Sequence, residues 1–146
     1  GWYQSYMLEA DVTVTYLPAK HWNRRGLNDM NEMLWGCFML QTKILNIYFG
    51  ADSGLGIHFE ETAQLFPAID YAFLGIGAYM PEWFMHTAHT SPADVLKAQQ
   101  QLQASQLIPM HHGTFDLSDE PIFYPKQELL RLQEEQNAGQ VLHLSI

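Results

Sequence analysis

Short β-rich runs alternate with helix-forming segments along the chain, and this order restricts the fold more than any other feature of the sequence. The run at 11–17 has two alternating sets of side chains, which are Val12, Val14 and Tyr16 on one side and Thr13, Thr15 and Leu17 on the other. This period of two predicts a half-buried strand, which Pro18 ends. Apolar runs predict further strands at 32–40 and 43–49, joined as a hairpin, and at 71–77, 107–110 and 140–146. The order of these elements predicts one α/β domain, for which 146 residues are sufficient.

The sequence predicts three helices, at 58–66, 90–106 and 126–139. In the second, Ser91 stands where an N-cap belongs, Pro92 takes the first helical position, and Asp94 lies in the first turn, where the helix dipole favours negative charge. Gly139 is predicted to end the third helix. Pro109 lacks a backbone N–H, so the strand at 107–110 is predicted to lie at a sheet edge or to be irregular.

The chain carries a formal charge of −9 and a single cysteine, Cys37. The negative charge repels nucleic acids and anionic membrane surfaces, and no cluster of Lys or Arg offsets it locally. No apolar run reaches the roughly 20 residues that cross a bilayer, so no transmembrane segment is predicted. One cysteine excludes an intrachain disulfide and a cysteine-based zinc site within these residues. This favours a cytoplasmic location, with the periplasm or a membrane-peripheral location as alternatives.

Three polar residues each come within four residues of the carboxyl end of a predicted strand, namely His21, Asp52 and His111. In layered α/β folds, the loops beyond such strand ends gather at one rim, where ligands bind. Two imidazoles and one carboxylate suit zinc, iron or manganese better than calcium or magnesium. The three residues are far apart in sequence, so their spacing alone leaves both a metal site and unrelated loop residues open.

Six short motifs follow one another along the chain, in the order LPAKHW, RRGLND, LWG, IYFGADSG, LGIGAYMPEWFM and MHHGTF. Together they resemble the second half of a metallo-beta-lactamase-fold hydrolase. The subgroup is the one that contains N-acyl-phosphatidylethanolamine-hydrolysing phospholipase D and related bacterial metal-dependent hydrolases. The resemblance runs from about Trp2 to about Pro121. It implies that residues 1–146 are a single partial domain, the carboxyl-terminal half of an αββα sandwich, with one mixed sheet and flanking helices.

The resemblance implies a metal-binding role for the same three residues. His21, in the phrase Pro-Ala-x-His-Trp, would bind one metal ion, Asp52 in GADSG would bridge two ions, and His111 would bind the second. The implied cofactor is a pair of divalent ions, zinc first, with iron or manganese as alternatives. His112 stands where relatives tend to carry tryptophan, so a place in the pocket wall is expected for it. The residues expected to contact substrate are Trp22, Tyr79 and His112, although packing in the core or rim is the alternative for the aromatic residues.

The implied reaction is hydrolysis of a phosphodiester, an ester or a lactone in a small or lipid-like substrate. The nucleophile would be hydroxide held by the metal ions, so no serine or cysteine nucleophile is needed. His89 precedes the helix capped by Ser91, and the resemblance places it near the pocket. There it would polarise the substrate or protonate a leaving group, and an ordinary loop histidine is the alternative.

The His-x-His-x-Asp-His motif that supplies the other ligands of this family does not occur in the 146 residues. Activity is therefore expected to depend on residues from an upstream segment or from another chain. Half of a sandwich would expose an apolar sheet face, which predicts a homodimer or association with the missing half. The alternative function is that of a non-catalytic remnant acting as a self-associating or protein-binding module.

Overall fold

Six strands lie in chain order across one sheet in the computed structural model, which describes residues 1–136. The strands are β1 (Ser5–Glu9), β2 (Val12–Leu17), β3 (Cys37–Gln41), β4 (Asn46–Phe49), β5 (Tyr71–Gly75) and β6 (Gln106–Met110). The helices are α1 (His58–Leu65), α2 (Glu82–Met85), α3 (Pro92–Leu102) and α4 (Tyr124–Gln136). The predicted α/β class, with one mixed sheet and flanking helices, is confirmed.

The direction of the strands determines which loops meet. Strands β1 to β4 pair antiparallel, while β4, β5 and β6 pair parallel. Because β2 and β4 are both antiparallel to β3, they run in the same direction as each other. Four strands, β2, β4, β5 and β6, therefore end at the same edge of the sheet.

The core lies between one face of the sheet and the helices. Alternate side chains of β2, β3 and β4, among them Leu17, Met39 and Tyr48, are fully buried there. They form one cluster with Phe59 of α1 and Val95 of α3. Burial of apolar surface at about 25 cal/mol per Å² makes this face the main source of stability.

The opposite face of the sheet carries a row of aromatic side chains, which we call the open face. Its members are Tyr16, Phe38, Phe49 and Phe73, which are paired in register across β2 to β5. The rings of Tyr16 and Phe38 are 5.2 Å apart, and those of Phe49 and Phe73 are 6.3 Å apart. Phe38 and Phe49 are 41% and 44% exposed, respectively, so no element within residues 1–136 covers them.

The helix predicted from Ser91, Pro92 and Asp94 is present as α3, with the predicted N-cap. Ser91 accepts a hydrogen bond from the backbone N–H of Asp94 (3.2 Å), and the Asp94 carboxylate accepts one from the backbone N–H of Ser91 (3.2 Å). Pro109 lies in β6, which is at the edge of the sheet as described by residues 1–136, as predicted. The predicted helix stop at Gly139 and the predicted strand at 140–146 lie outside the described residues.

The strand predicted at 32–40 begins later than expected, and this prediction is wrong for 32–36. Pairing starts at Cys37 because its partner Leu17 is the last residue of β2, before Pro18. A side chain at Gly36 would place its Cβ 2.3 Å from the Leu17 carbonyl oxygen, so the chain turns there. Strand β1 and the short helix α2 were not predicted.

Candidate metal centre

The loops beyond β2, β4, β5 and β6 bring four side chains together at one edge of the sheet. They are His21, Asp52, His89 and His111. His21, Asp52 and His111 follow β2, β4 and β6 directly, whereas His89 follows β5 by way of α2. The convergence depends on strand direction, since the residues are up to 90 positions apart in sequence.

The donor atoms and rings of these four groups lie close together. One donor atom each of His21, Asp52 and His89 lies within 4.8 Å of the others. The Nε2 atom of His111 is 3.5 Å from Oδ1 of Asp52. The ring of His89 is 5.3 Å from the ring of His21 and 5.5 Å from that of His111. Three imidazoles and a carboxylate are a donor set that suits zinc, iron or manganese.

His21 is oriented as a ligand would be. Its Nδ1 is 2.7 Å from the backbone carbonyl of Trp22, which can only accept, so Nδ1 carries the proton. Its Nε2 then presents a lone pair, and this atom is buried with no hydrogen-bond partner within residues 1–136. A buried polar atom without a hydrogen-bond partner is costly. In a metal-binding histidine, the ring nitrogen that does not bind the metal usually donates a hydrogen bond, often to a backbone carbonyl. The residues present therefore fit a divalent ion.

The backbone around the centre is held in unusual conformations. Ala51, Ala78 and His111 follow β4, β5 and β6, and each has a positive φ, of 48°, 60° and 58° respectively. Residues other than glycine rarely adopt these angles, and such strain persists where the surrounding structure imposes it, often at functional sites. His111 therefore has a left-handed backbone conformation, and its imidazole is also the one that approaches Asp52.

A buried hydroxyl ties the His21 and Asp52 loops together. The Ser53 hydroxyl accepts a hydrogen bond from the backbone N–H of Lys20 (3.0 Å) and is 3.1 Å from Nε2 of His58. Burial, assisted by the charge of Lys20, lowers the pKa of His58 to about 4. His58 is the first residue of α1.

The electrostatics of His89 are set mainly by burial. Burial lowers the pKa of His89, and the Asp52 carboxylate opposes this shift, while His21 and His111 add to it. The neutral imidazole is therefore favoured, which is the form that can accept a proton or a metal ion.

A cavity of about 230 Å³ opens beside the centre. Its wall includes Gly77, Ala78, His111, His112, Phe115 and Ile122. Of the predicted substrate-contacting residues, His112 lines this cavity and Trp22 stacks on His21 at 5.8 Å. Tyr79 is buried and lines a different cavity, together with Met80 and Pro92. The geometry thus places His112 and Trp22, but not Tyr79, next to the four-residue cluster.

Two residues of this region were not foreseen from the sequence. Ser53 stands directly after Asp52, but nothing in its sequence position indicates the contact with Lys20. The carboxylate of Glu120 is buried and accepts hydrogen bonds from the loop after β5, 40 or more residues away in sequence. Only a three-dimensional structure can reveal such a contact, because Glu120 has no repeated spacing or local partner.

None of the helices within residues 1–136 combines the length and hydropathy that crossing a bilayer requires.

Comparison with known proteins relates this geometry to a family. The sequence model of the beta-lactamase superfamily domain matches residues 1–112. N-acyl-phosphatidylethanolamine-hydrolyzing phospholipase D 1 of Caenorhabditis elegans is 30% identical over 125 residues, which cover 84% of this chain and 35% of that protein. The mitochondrial enzyme of that name from Saccharomyces cerevisiae is 33% identical over 142 residues, covering 92% of this chain and 30% of its own length. The chain thus spans about a third of the length of these relatives.

Solved structures show the same fold at low sequence identity. Igni18, a metallo hydrolase from the archaeon Ignicoccus hospitalis, superposes with a TM-score of 0.71 at 19% identity, over 99% of this chain and 56% of its own. Isothiocyanate hydrolase from Delia radicum gut bacteria gives a TM-score of 0.72 at 13% identity, over 97% and 54%. The chain belongs to the beta-lactamase superfamily, has a metallo-beta-lactamase fold, and is similar in sequence to N-acyl-phosphatidylethanolamine-hydrolysing phospholipase D.

Proposed function

We propose that this chain supplies part of the divalent-metal centre of a hydrolase, with His21, Asp52 and His111 as metal ligands. The observation that supports this most strongly is the buried, unpartnered Nε2 of His21, a residue that has a donor atom within 4.8 Å of donor atoms of Asp52 and His89. Zinc is the proposed ion, with iron or manganese as alternatives, because the donors are imidazoles and a carboxylate.

Each residue of the cluster has a proposed part in the chemistry. A divalent ion bound here supplies Lewis acidity toward a substrate oxygen and activates water near neutral pH. Asp52 has Oδ1 3.5 Å from Nε2 of His111 and a donor atom within 4.8 Å of one of His21, and we propose that its carboxylate would bind the ions together with these two histidines. His89 is half-buried, with its ring 5.3 Å from that of His21 and 5.5 Å from that of His111, and we propose that it polarises the substrate or protonates its leaving group.

The proposed substrate is a phosphodiester, an ester or a lactone with a small or lipid-like body. The two phospholipase D relatives act on N-acyl-phosphatidylethanolamine by their names, and the cavity beside His111 is lined partly by Phe115 and Ile122. An apolar wall next to a metal centre suits an alkyl or acyl group. We propose that His112 is a polar contact of the substrate and that Trp22 is an aromatic contact. Tyr79 is a residue of the neighbouring loop and is not proposed to contact the substrate.

Three ligands and a neighbouring histidine are too few for two ions. We therefore propose that a His-x-His-x-Asp-His segment, from elsewhere in a longer protein or from another chain, completes the set. The alternative of a non-catalytic remnant is not favoured, because the relatives named above are hydrolases. A cytoplasmic location remains a prediction based on the single cysteine, Cys37, which is buried.

Titration of the purified, metal-free chain with zinc tests this proposal. We expect about one zinc ion per chain to bind, because one incomplete set of ligands is present, and we expect binding to be measurable by calorimetry and by metal analysis after dialysis. A chain that retains no zinc would contradict the proposal and favour the non-catalytic alternative.

We also propose that the open face is an association surface, filled by a second copy when no other sheet is supplied. Its exposed rings are Phe38 and Phe49, which lie side by side on adjacent strands. Covering several hundred Å² of such surface is worth on the order of 10 kcal/mol at 25 cal/mol per Å², before the entropy costs of association. A two-fold pairing of like faces is the simplest closed arrangement.

Charging the open face tests this association. We expect the chain to sediment as a dimer and Phe49→Asp to sediment as a monomer, since a carboxylate cannot be buried there without a partner. Ile44→Asp is the matched control, because Ile44 is 84% exposed in the turn between β3 and β4, away from the face. A monomeric unmodified chain in analytical ultracentrifugation, or a dimer in both variants, would show that this face does not associate.

A further inference from the structure

A buried carboxylate outside the metal cluster has an unusual set of partners. Glu120 is only 6% exposed. Its Oε1 accepts hydrogen bonds from the backbone N–H groups of Ala78 (2.6 Å) and Tyr79 (3.3 Å), and its Oε2 accepts one from Met80 (3.0 Å). None of the ion pairs found within residues 1–136 involves Glu120.

Three consecutive backbone N–H groups that point to one place form a binding site for an anion. Ala78 has a φ of 60°, which turns its N–H toward the same point as those of the next two residues. A buried carboxylate is costly unless it is hydrogen-bonded, and charge-assisted bonds of this kind are about twice as strong as neutral ones. Glu120 therefore stabilises the conformation of residues 78–80 by occupying their anion site.

The loop that Glu120 holds is packed directly against His111. The N–H of Ile76 donates to the carbonyl of Met110 (3.0 Å), just before His111. A Cβ on Gly77 would lie 2.2 Å from the carbonyl oxygen of His111, so the backbones of the two loops are in close contact. Glu120 and His111 also line the same cavity. A movement of residues 77–80 would remove the support on one side of the left-handed turn at His111.

We infer that Glu120 is a positioning residue, which fixes the loop after β5 against His111 and thereby holds the His111 imidazole in place for metal binding. It acts through backbone amides and leaves the metal ligands themselves unchanged. The inference rests on the proposed function, which takes His111 as a metal ligand. Glu120 lies beyond the residues 1–112 that match the superfamily model.

Substitution of Glu120 by Ala, followed by restoration with a small carboxylate, tests the inference. In Glu120→Ala we expect faster amide hydrogen exchange at Ala78, Tyr79 and Met80, a shifted His111 imidazole resonance in NMR spectra, and zinc affinity lower by about tenfold. Added formate is expected to bind the three vacated N–H groups and to reverse all three changes, whereas chloride at the same concentration is not. Loss of packing alone would not be reversed by formate.

Two further variants keep the test decisive. Glu120→Gln replaces one acceptor oxygen with a donor and is expected to give the same three changes, so it substitutes for Glu120→Ala if that variant does not fold. Asp119→Asn, an exposed neighbour with the same loss of charge, is expected to behave as the unmodified chain. Unchanged exchange at 78–80 and an unchanged His111 resonance in the Glu120 variants would overturn the inference. If the unmodified chain binds no zinc, the proposed function fails, while the exchange and NMR measurements still decide whether Glu120 positions His111.

Discussion

Replacing Asp52 with Asn is expected to lower the affinity of the chain for zinc by about 100-fold. Removal of a residue that only hydrogen-bonds to a metal ligand lowers metal affinity by about 10- to 100-fold, and removal of a ligand should cost at least the upper value. Asp52 is the one carboxylate in the cluster, with Oδ1 3.5 Å from His111 and a donor atom within 4.8 Å of those of His21 and His89. An amide keeps the shape but removes the negative charge that offsets the ion. Zinc titration by calorimetry measures the effect.

Variants of two other histidines complete this experiment. His86→Gln is the control, because His86 is exposed, directly follows α2 and is hydrogen-bonded to the Glu82 carbonyl of that helix, outside the cluster. It is expected to keep full zinc affinity. His89→Gln separates two roles for His89: retained zinc affinity is expected for a substrate-polarising group, whereas a loss equal to that of Asp52→Asn would make His89 a ligand. Equal affinity in Asp52→Asn and the unmodified chain would refute a metal-binding role for Asp52.

Replacing Gly77 with Ala is expected to destabilise the fold by about 3 kcal/mol, as overpacking of a tight interior does. The added Cβ would lie 2.2 Å from the His111 carbonyl oxygen, and a backbone atom cannot swing away as a flexible side chain does. The loop after β5 or the turn at His111 must shift, so zinc affinity is expected to fall as well. Urea unfolding and zinc titration measure the two effects.

Gly75→Ala, two residues earlier, is the matched control. Its new Cβ would lie 3.5 Å from Cβ of His111 and 3.8 Å from the Ala51 carbonyl, which are ordinary contacts. Its stability is expected to change by no more than about 0.5 kcal/mol, since alanine also loses less chain entropy than glycine on folding. Similar losses in Gly77→Ala and Gly75→Ala would show that close contact with His111 does not determine the requirement for glycine.

The sequence allowed prediction of those elements whose signals are local. The α3 helix was predicted from Ser91, Pro92 and Asp94, and these residues form the cap and first turn in the structure. The strands with period-two patterns were also found, because alternation reports burial of one face. Strand β1 was missed since all five of its residues are exposed and no face pattern marks them. The start of β3 was missed because it is set by where its partner β2 ends.

Prediction of the site went further than spacing alone permits, because the quoted motifs resemble those of a known family. The motifs pointed to His21, Asp52 and His111, and strand direction explains why they converge. The sequence did not reveal that Tyr79 is buried. It also did not reveal that Ser53 and Glu120 hold the loops of the site. Those contacts join residues more than 30 positions apart, and no local pattern encodes them.

The central claim is that His21, Asp52 and His111 are ligands of one divalent-metal centre. An anomalous difference map, measured at the zinc absorption edge from crystals soaked in zinc, tests it most directly. A peak about 2.0–2.2 Å from Nε2 of His21 and from a carboxylate oxygen of Asp52 is the predicted result, with His111 bound to the same ion or to a second one beside Asp52. Zinc found only on surface groups such as His86, with His21 Nε2 left without an ion, would contradict the claim.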